Sequence, residues 1–242
     1  PDVVFGCDIT ADNSTTYMSF FSQMDTYGDG YAGIGVWRAA FKPLVDRIAD
    51  TDIRLQWFCC DRSTGVTDAS GNRITLIRDT QSPVAVEYQA VKFIGTGRDN
   101  IKAGVFSGWE LGDYIYLRSE EAYMIKMEAL AHKGSAEAVT ELNSFMKTRQ
   151  PDYNYTFTNK ADLIEEIIYQ KRVEFWGEGL EYIDNRRLNI PVDRTDETWG
   201  AENNNHLSAG KFRYNQEDRP FLYQLPLSEI ENNSQLSPSD QN

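Results

Sequence analysis

The side chains best suited to chemistry are acidic and basic groups that recur between residues 118 and 187. Glu174, Glu178 and Glu181 follow one another at helical spacing, with arginines nearby in the sequence. Paired carboxylates are the catalytic groups of glycoside hydrolases, but each guanidinium fork can also hold one carboxylate in an internal ion-pair network. We favour the network and assign to it Arg118, Arg172, Glu174, Glu178, Asp184, Arg186 and Arg187. Within it, we expect Glu174 to be buried against Arg172 or Arg186.

Residues 12–37 form a polar segment that is rich in aromatic rings. No helical or strand period places these rings on one face, so we expect some of them to be exposed. An exposed ring can stack on the flat C–H face of a sugar, while amides and carboxylates bind the sugar hydroxyls. Alternatively, each ring anchors the segment to the helices. The residues concerned are Tyr17, Phe20, Phe21, Tyr27, Tyr31 and Trp37, together with Asn13, Asp25 and Asp29.

The same segment contains a hint of a metal site. Asp25 and Asp29 alternate with Gly28 and Gly30, but the Asp-x-Asp-x-Asp spacing and closing Glu of an EF-hand loop are absent. The chain has two histidines, which nearly excludes a histidine-rich metal site. We therefore predict no metal-binding residues and no cofactor, with calcium as the alternative.

Composition limits the possible partners. The chain has 242 residues, of which 40% are apolar, enough to form a core without disulfides or metals. Its net charge of −13 repels phosphate groups, which argues against binding of nucleic acids or anionic membranes. No apolar run is long enough to span a bilayer, and no signal peptide starts the sequence. We expect the chain to be part of a longer protein.

The elements that must position these side chains differ along the chain. Residues 1–112 are predicted to be loop-rich with short strands, and residues 113–242 to be helical with an irregular C-terminal segment; we expect both portions to belong to one continuous domain. Early elements are expected as a loop over 12–35, a helix over Phe41–Ile48, a strand over Asp52–Phe58 and a hairpin over 65–77. Later helices are expected over Leu117–Lys133, from Ser135 to Pro151 and from Asn159 to Trp176. The fold class is therefore predicted as mainly α and tetratricopeptide-like, because the first two of these helices share a 34-residue period.

Three stretches together resemble the C-terminal half of the SusD/RagB family of outer-membrane glycan-binding lipoproteins. They are Tyr116–Leu130, Arg172–Arg187 and Leu225–Ile230, and Asp52-Ile53-Arg54 matches an upstream landmark of the family. The second stretch is the most specific of the three. The sequence departs from the family pattern at Gln170-Lys171, where Glu-Arg is usual, and at Leu180-Glu181, where a basic pair is usual. The family's N-terminal half and its lipid-bearing cysteine have no counterpart in this chain.

The resemblance implies a function that no single motif specifies. A SusD-like protein binds an oligosaccharide or other nutrient without cleaving it, and delivers it to a SusC-like TonB-dependent transporter. It is exposed at the surface of the cell outer membrane, held by a lipid anchor that this chain lacks. The protein would then be no enzyme. The alternatives are a glycoside hydrolase using Glu174, Glu178 or Asp184, and a tetratricopeptide-type interaction scaffold, which would need a basic groove that this acidic chain hardly offers.

The resemblance also selects among the aromatic residues. Family members place sugar-stacking rings between the first strand and the Asp-x-Arg landmark. Phe20 and Phe21, which lack a polar atom, are expected in the core instead. The predicted ligand-binding residues are therefore Tyr17, Tyr27, Tyr31 and Trp37, with Asn13, Asp25 and Asp29.

Overall fold

The structure is a computed structural model that describes residues 3–10, 12–13, 19–25, 30–32, 38–59, 87–93, 112–219 and 222–240. The chain divides into two compact units, Pro1–Glu174 and Phe175–Asn242. Regular structure in the described residues is mostly helical, which confirms the predicted mainly-α fold class.

The first unit contains five of the described α-helices. They are α1 Phe20–Met24, α2 Lys42–Asp46, α3 Ser119–His132, α4 Glu137–Met146 and α5 Lys160–Glu174. The second unit contains α6 Leu180–Leu188, α7 Asp196–Trp199 and α8 Leu227–Asn232. Among the described helices, none is both long and apolar enough to cross a membrane.

The core of the first unit forms where α3 packs against both α4 and α5. Met124 and Met127 of α3, Leu142 of α4 and Ile167 of α5 are fully buried. Local signals set the helix ends: acidic side chains stand in the first turn of α3, and Gly134 after its last turn adopts a φ of +71°. The two predicted helices over 117–150 are thus present, although the first begins at Ser119 rather than Leu117.

Described strands are short and pair antiparallel in three separate ladders. They are β1 Val3–Cys7, β2 Phe58–Cys59, β3 Gln89–Ala90, β4 Tyr114–Arg118, β5 Val192–Asp193 and β6 Arg213–Tyr214. The ladders join β1 with β4, β2 with β3, and β5 with β6. The first of them pairs Val3 with Arg118, so it joins the predicted loop-rich portion to the predicted helical portion. Arg118 is also the residue that directly precedes α3.

Two early predictions are wrong. The expected strand over Asp52–Phe58 is a 3₁₀-helix over Ile53–Trp57, followed by β2, because the Asp52 carboxylate accepts a hydrogen bond from the Arg54 backbone N–H (2.9 Å) and caps the turn. The expected loop over 12–35 contains α1, capped by the Ser19 hydroxyl, which accepts from the Ser22 N–H (3.1 Å). The expected hairpin over 65–77 lies outside the described residues.

The predicted helical spacing of three glutamates is also interrupted. Glu174 ends α5, Glu178 lies in a turn and Glu181 lies in the first turn of α6. The turn contains Gly177 and Gly179, whose φ angles of +80° and +85° are strained for residues with a side chain. These acids therefore do not form one stripe on a helix.

Candidate functional site

The carboxylate of Glu174, which is 2% exposed, is held by three arginines of the first unit. Its Oε2 lies 3.4 Å from Arg54 Nη1, and its Oε1 lies 3.4 Å from Arg118 Nη1 and 3.1 Å from Arg149 Nη2. We call Glu174 and these three arginines the Glu174 cluster. Arg54 lies in the 3₁₀-helix, Arg118 ends β4, and Arg149 lies in the loop just after α4.

Two further carboxylates balance the charge of the Glu174 cluster. Asp52 Oδ2 lies 2.7 Å from Arg54 Nη2, and Glu120 carboxylate oxygens lie 3.5 Å from both Arg118 Nη1 and Arg149 Nη2. Among the described residues, three guanidinium groups are thus matched by three carboxylates. Since a buried charge is costly unless it is paired, this matching is what allows Arg54 to be 1% exposed.

The arginines also decide the protonation state of Glu174. Burial acts to raise the pKa of this carboxyl group, but the hydrogen bond from Arg149 and the positive charges of Arg149, Arg54 and Arg118 outweigh burial and hold the pKa below its ordinary value. Glu174 is therefore ionised at neutral pH and cannot donate a proton. The arrangement is suited to holding α4, α5 and the 3₁₀-helix together.

The sequence identified part of this cluster. Arg118 was predicted to belong to the network, whereas Arg54 and Arg149 were not assigned to it. The expected partners of Glu174, Arg172 and Arg186, are not among the three arginines that hold it. A signal for the missed residues exists, because Arg149 continues the apolar face of the predicted helix and Asp52-Ile53-Arg54 is the family landmark.

The remaining network residues are distributed over two units. Arg172 is half-buried in α5, and Glu178 is half-buried in the turn before α6. In the second unit, Asp184 Oδ1 accepts from Arg187 Nε (2.8 Å) and lies 2.7 Å from Arg187 Nη2. Arg186 Nη1 donates to the backbone carbonyl of Gln216 (2.5 Å). Asp184 and Arg187 are thus a local pair three residues apart on α6.

Of the predicted ligand-binding residues, Tyr31 is the one whose ring is placed at the surface in the described part of the chain. It is 41% exposed, and its backbone N–H donates to the Ser22 hydroxyl (3.3 Å). Residues 30–32 cross Ser22 so closely that a Cβ on Gly30 would lie 2.3 Å from the Ser22 hydroxyl, which only glycine avoids. This contact fixes Tyr31 against α1.

Asp25 and Asn13 have local partners. Asp25 is completely buried and caps the C-terminus of α1, with its backbone N–H bonded to the Phe21 carbonyl (2.7 Å). Asp25 was predicted to bind sugar hydroxyls, but its burial leaves it no surface in contact with solvent. Asn13 is exposed, but its side chain closes a turn: Nδ2 donates to the Asp8 carbonyl (2.9 Å), and Oδ1 accepts from the Thr10 N–H (2.8 Å).

The other predicted ligand residues lie outside the described residues. They are Tyr17, Tyr27, Asp29 and Trp37. Phe20 and Phe21, expected in the core, are half-buried, and the Phe20 ring makes edge contacts with Phe93 and Tyr114 at centroid distances of 4.9 Å. Where the structure describes the chain, no three His, Cys, Asp or Glu side chains are grouped so as to hold a metal ion. The absence of a cofactor, with calcium as the alternative, stays a prediction.

The fold and these residues can be compared with known proteins. The chain belongs to the SusD family, whose model matches residues 88–242, and this confirms the resemblance seen in the sequence. No curated protein matches the sequence.

Solved structures from Bacteroides vulgatus ATCC 8482 share the fold. A SusD-like carbohydrate binding protein aligns with a TM-score of 0.64 and 20% identity over 97% of this chain and 48% of that one. A SusD superfamily protein aligns with a TM-score of 0.67 and 16% identity over 100% of this chain and 46% of that one. A putative sugar binding protein aligns with a TM-score of 0.61 and 19% identity over 100% of this chain and 45% of that one. The chain therefore spans about half the length of these relatives.

Proposed function

We propose that the protein binds an oligosaccharide at the bacterial cell surface without cleaving it. The observation that carries this proposal is membership of the SusD family over residues 88–242. Proteins with the same fold are described as a SusD-like carbohydrate binding protein and a putative sugar binding protein, which supports a sugar as the ligand.

The ligand site that we propose is the aromatic segment before the Asp52-Ile53-Arg54 landmark. Tyr31 offers a partly exposed ring on a backbone that Ser22 holds in place, and such a ring can stack on the C–H face of a sugar. We assign the same role to Tyr17, Tyr27 and Trp37. Asp25 is left out of this site because it is fully buried.

The states of the acidic residues argue against the hydrolase alternative. A glycosidase needs one carboxylic acid that is protonated at the working pH, usually because its pKa is raised. The pKa of Glu174 is instead held below its ordinary value, and three arginines occupy its two oxygens. Asp184 is held by Arg187 through two nitrogens. Glu174 is therefore not available as a proton donor.

We further propose that the complete protein is a lipoprotein of the outer membrane that delivers its ligand to a SusC-like TonB-dependent transporter. This part rests on family membership. Treating intact cells with proteinase K should degrade the protein, and co-purification with a tagged transporter should recover it. Protection of the protein in intact cells, with degradation after lysis, would contradict the surface location.

Binding and cleavage can be separated in one experiment. The chain is applied to a glycan array, and each oligosaccharide that binds is then incubated with it while reducing ends are assayed. We expect saturable binding with no increase in reducing ends above a protein-free control. Release of reducing sugar that Glu174→Gln abolishes would overturn the proposal in favour of a hydrolase.

The location of the site is tested by removing its rings. Trp37→Ala and Tyr31→Ala should each weaken binding of the selected oligosaccharide by about 1–3 kcal/mol in calorimetry, the scale of losing one aromatic contact surface. The matched control is Tyr123→Ala, which removes a ring of similar exposure (47%) from α3. A large fall in melting temperature with unaltered affinity would mean that the rings anchor the segment, and would contradict this site.

A further inference from the structure

The ladder of β1 and β4 exposes apolar side chains on both of its strands. A single exposed apolar residue is ordinary, but neighbouring ones on one ladder form a contiguous patch, and such a patch marks an interaction surface. We call these residues the ladder patch. Its members, with their exposed fractions, are Val3 (50%), Val4 (62%), Phe5 (63%), Ile115 (38%), Tyr116 (56%) and Leu117 (37%).

The ladder patch occupies both faces of the ladder. Successive side chains of a strand point to opposite faces, so Tyr116 lies on one face, and Ile115 and Leu117 lie on the other. The Phe5 ring stacks on the Tyr116 ring at a centroid distance of 5.5 Å, which places Phe5 on the same face as Tyr116. Each face therefore exposes apolar side chains to solvent.

The sequence of the two strands is typical of strands that are buried on both faces. A strand with one face in solvent alternates apolar and polar residues, whereas a strand with both faces buried is a continuous apolar run. Residues 3–5 (Val-Val-Phe) and 114–117 (Tyr-Ile-Tyr-Leu) are two such runs. Their composition therefore indicates that each face is covered in the assembled protein.

One end of the Tyr116 face is already covered within the chain. The Phe20 ring of α1 makes an edge contact with the Tyr114 ring at a centroid distance of 4.9 Å, and Tyr114 is half-buried. Two residues further along the strand, Tyr116 is exposed, and so is the Phe5 ring that stacks on it. The cover that α1 provides thus ends between Tyr114 and Tyr116.

The irregular register of the ladder favours contact through its faces rather than through its edge. The pairing of β1 with β4 shifts between Val3 and Phe5 and again between Phe5 and Gly6. Such bulges interrupt a ladder and increase its twist, and they are one of the ways in which proteins prevent another strand from adding to an edge. A partner would therefore be held by the exposed side chains.

The need to cover two opposite faces decides between possible occupants. A second copy in a two-fold dimer uses the same patch on both subunits, so it would cover one face and leave the other exposed. A sugar stacks on aromatic rings, so it would cover Phe5 and Tyr116 and leave the opposite face in water. A long polypeptide segment can reach both faces. The solved relatives are about twice as long as this chain, which covers 45–48% of their length.

We propose that the ladder patch is the interface against which the other half of a SusD-length polypeptide packs in the complete protein. That half places apolar side chains against Phe5 and Tyr116 on one face. On the other face it covers Ile115 and Leu117. Removal of this area from water stabilises the complete protein relative to the present chain. The proposal rests on family membership and concerns assembly of the protein, so it goes beyond sugar binding.

Melting temperatures test the proposal when they are measured both in this 242-residue chain and in the protein made from the complete reading frame. Phe5→Ser and Leu117→Ser remove one apolar side chain from each face, and Leu207→Ser is the matched control because Leu207 is 85% exposed outside the ladder. Each ladder variant should lower the melting temperature by several degrees more in the complete protein, because the exposed part of its side chain leaves water there. The control should have the same small effect in both.

Footprinting of the two unmutated proteins makes the same comparison without depending on variants that fold. A photoactivated diazirine labels exposed side chains, and mass spectrometry locates the label. We expect labelling of Phe5, Tyr116 and Leu117 to fall several-fold from the chain to the complete protein. Labelling of Leu207 should stay the same.

Four outcomes would overturn the proposal. Labelling and variant effects that are equal in the two proteins would show that the ladder patch stays exposed. Protection that appears in the chain as its concentration rises, with a dimer in analytical ultracentrifugation, would assign the patch to a second copy. Protection only by an oligosaccharide from the glycan array would assign it to a ligand. A reading frame that encodes no residues beyond this chain would leave no second half to cover it.

Failure of this proposal is distinguishable from failure of the proposed function. The comparison of the two proteins uses no glycan, so equal labelling in both would leave sugar binding untouched. Equally, a chain that binds no oligosaccharide could still show the loss of labelling that supports the interface.

Discussion

Glu174 in the first unit and Asp193 in the second are both carboxylates held by arginine, but their surroundings differ. Glu174 is 2% exposed and its partner Arg54 is 1% exposed. Asp193 pairs with Arg213 at 2.8 Å across the β5–β6 ladder, and the Arg213 side chain is 53% exposed. A carboxylate and a guanidinium group are therefore paired inside the protein at Glu174 and at its surface at Asp193.

The partners of Asp193 also differ in kind. Its Oδ1 accepts from the Thr195 N–H (3.0 Å) and hydroxyl (2.7 Å), and its Oδ2 accepts from the Thr198 hydroxyl (2.7 Å). These neutral bonds fix the start of α7 and, outweighing the opposing effect of burial, lower the pKa of Asp193. Asp193 thus has a stabilising role that survives without its arginine. Among the described residues, the side-chain partners of the Glu174 carboxylate are the charged groups of Arg54, Arg118 and Arg149, so loss of Glu174 should cost more stability.

The largest effect is expected from Glu174→Ala. Removing this carboxylate leaves buried guanidinium charge uncompensated, so the free energy of unfolding should fall by about 3–5 kcal/mol. Urea denaturation followed by circular dichroism measures it. The matched control is Glu165→Ala on the same helix, where the side chain is 75% exposed and lies 3.6 Å from Arg47. That change should cost less than about 1 kcal/mol.

Oligosaccharide binding by the folded fraction of Glu174→Ala should be unchanged, since the ion pairs of the cluster involve none of the predicted ligand residues that the structure describes. An equal, small cost for the Glu174 and Glu165 variants would remove the distinction between the buried and exposed pairs. Loss of binding at an unchanged unfolding free energy would place Glu174 in a ligand site instead.

A smaller effect on stability is expected when the pH is lowered. The pKa of Glu174 in the folded state is below its ordinary value of 4.5, so its stabilising contribution is complete above that value and is lost as the pH falls through the folded pKa. The difference in stability between the wild type and Glu174→Gln should therefore narrow below about pH 5, by at most about 1.4 kcal/mol per pH unit. Urea denaturation between pH 3 and pH 7 measures it, and parallel curves would contradict a depressed pKa.

The smallest effect is expected from Arg213→Ala in the second unit. Because the arginine is half in solvent, the unfolding free energy should fall by less than about 1 kcal/mol. The pKa of Asp193, followed by NMR, should rise only part of the way to its ordinary value, since Thr195 and Thr198 still donate to it. Thr198→Val, which removes one neutral bond and keeps the arginine, is the comparison. If the pKa of Asp193 returned fully to its ordinary value in Arg213→Ala, the arginine alone would set it.

Local sequence signals determined the helical part of the first unit. Apolar residues at helical spacing and the Gly134 stop signal predicted α3 and α4, and both are present with slightly different ends. These signals suffice because a helix is closed by hydrogen bonds between residues four apart, so a short stretch of sequence contains most of what specifies it. The family resemblance came from the same region, in the stretches Tyr116–Leu130 and Arg172–Arg187.

The tertiary structure alone decided which side chains surround Glu174 and which predicted ligand residues are accessible. Arg54 is 120 residues away in the sequence, and the sequence favoured the nearer Arg172 and Arg186 as partners. Asp25 reads as a polar loop residue, yet it is buried beneath the end of α1. Burial and ion pairing over such separations depend on how distant elements pack, and packing excludes water and so makes an unpaired charge costly. Sequence spacing does not contain that information.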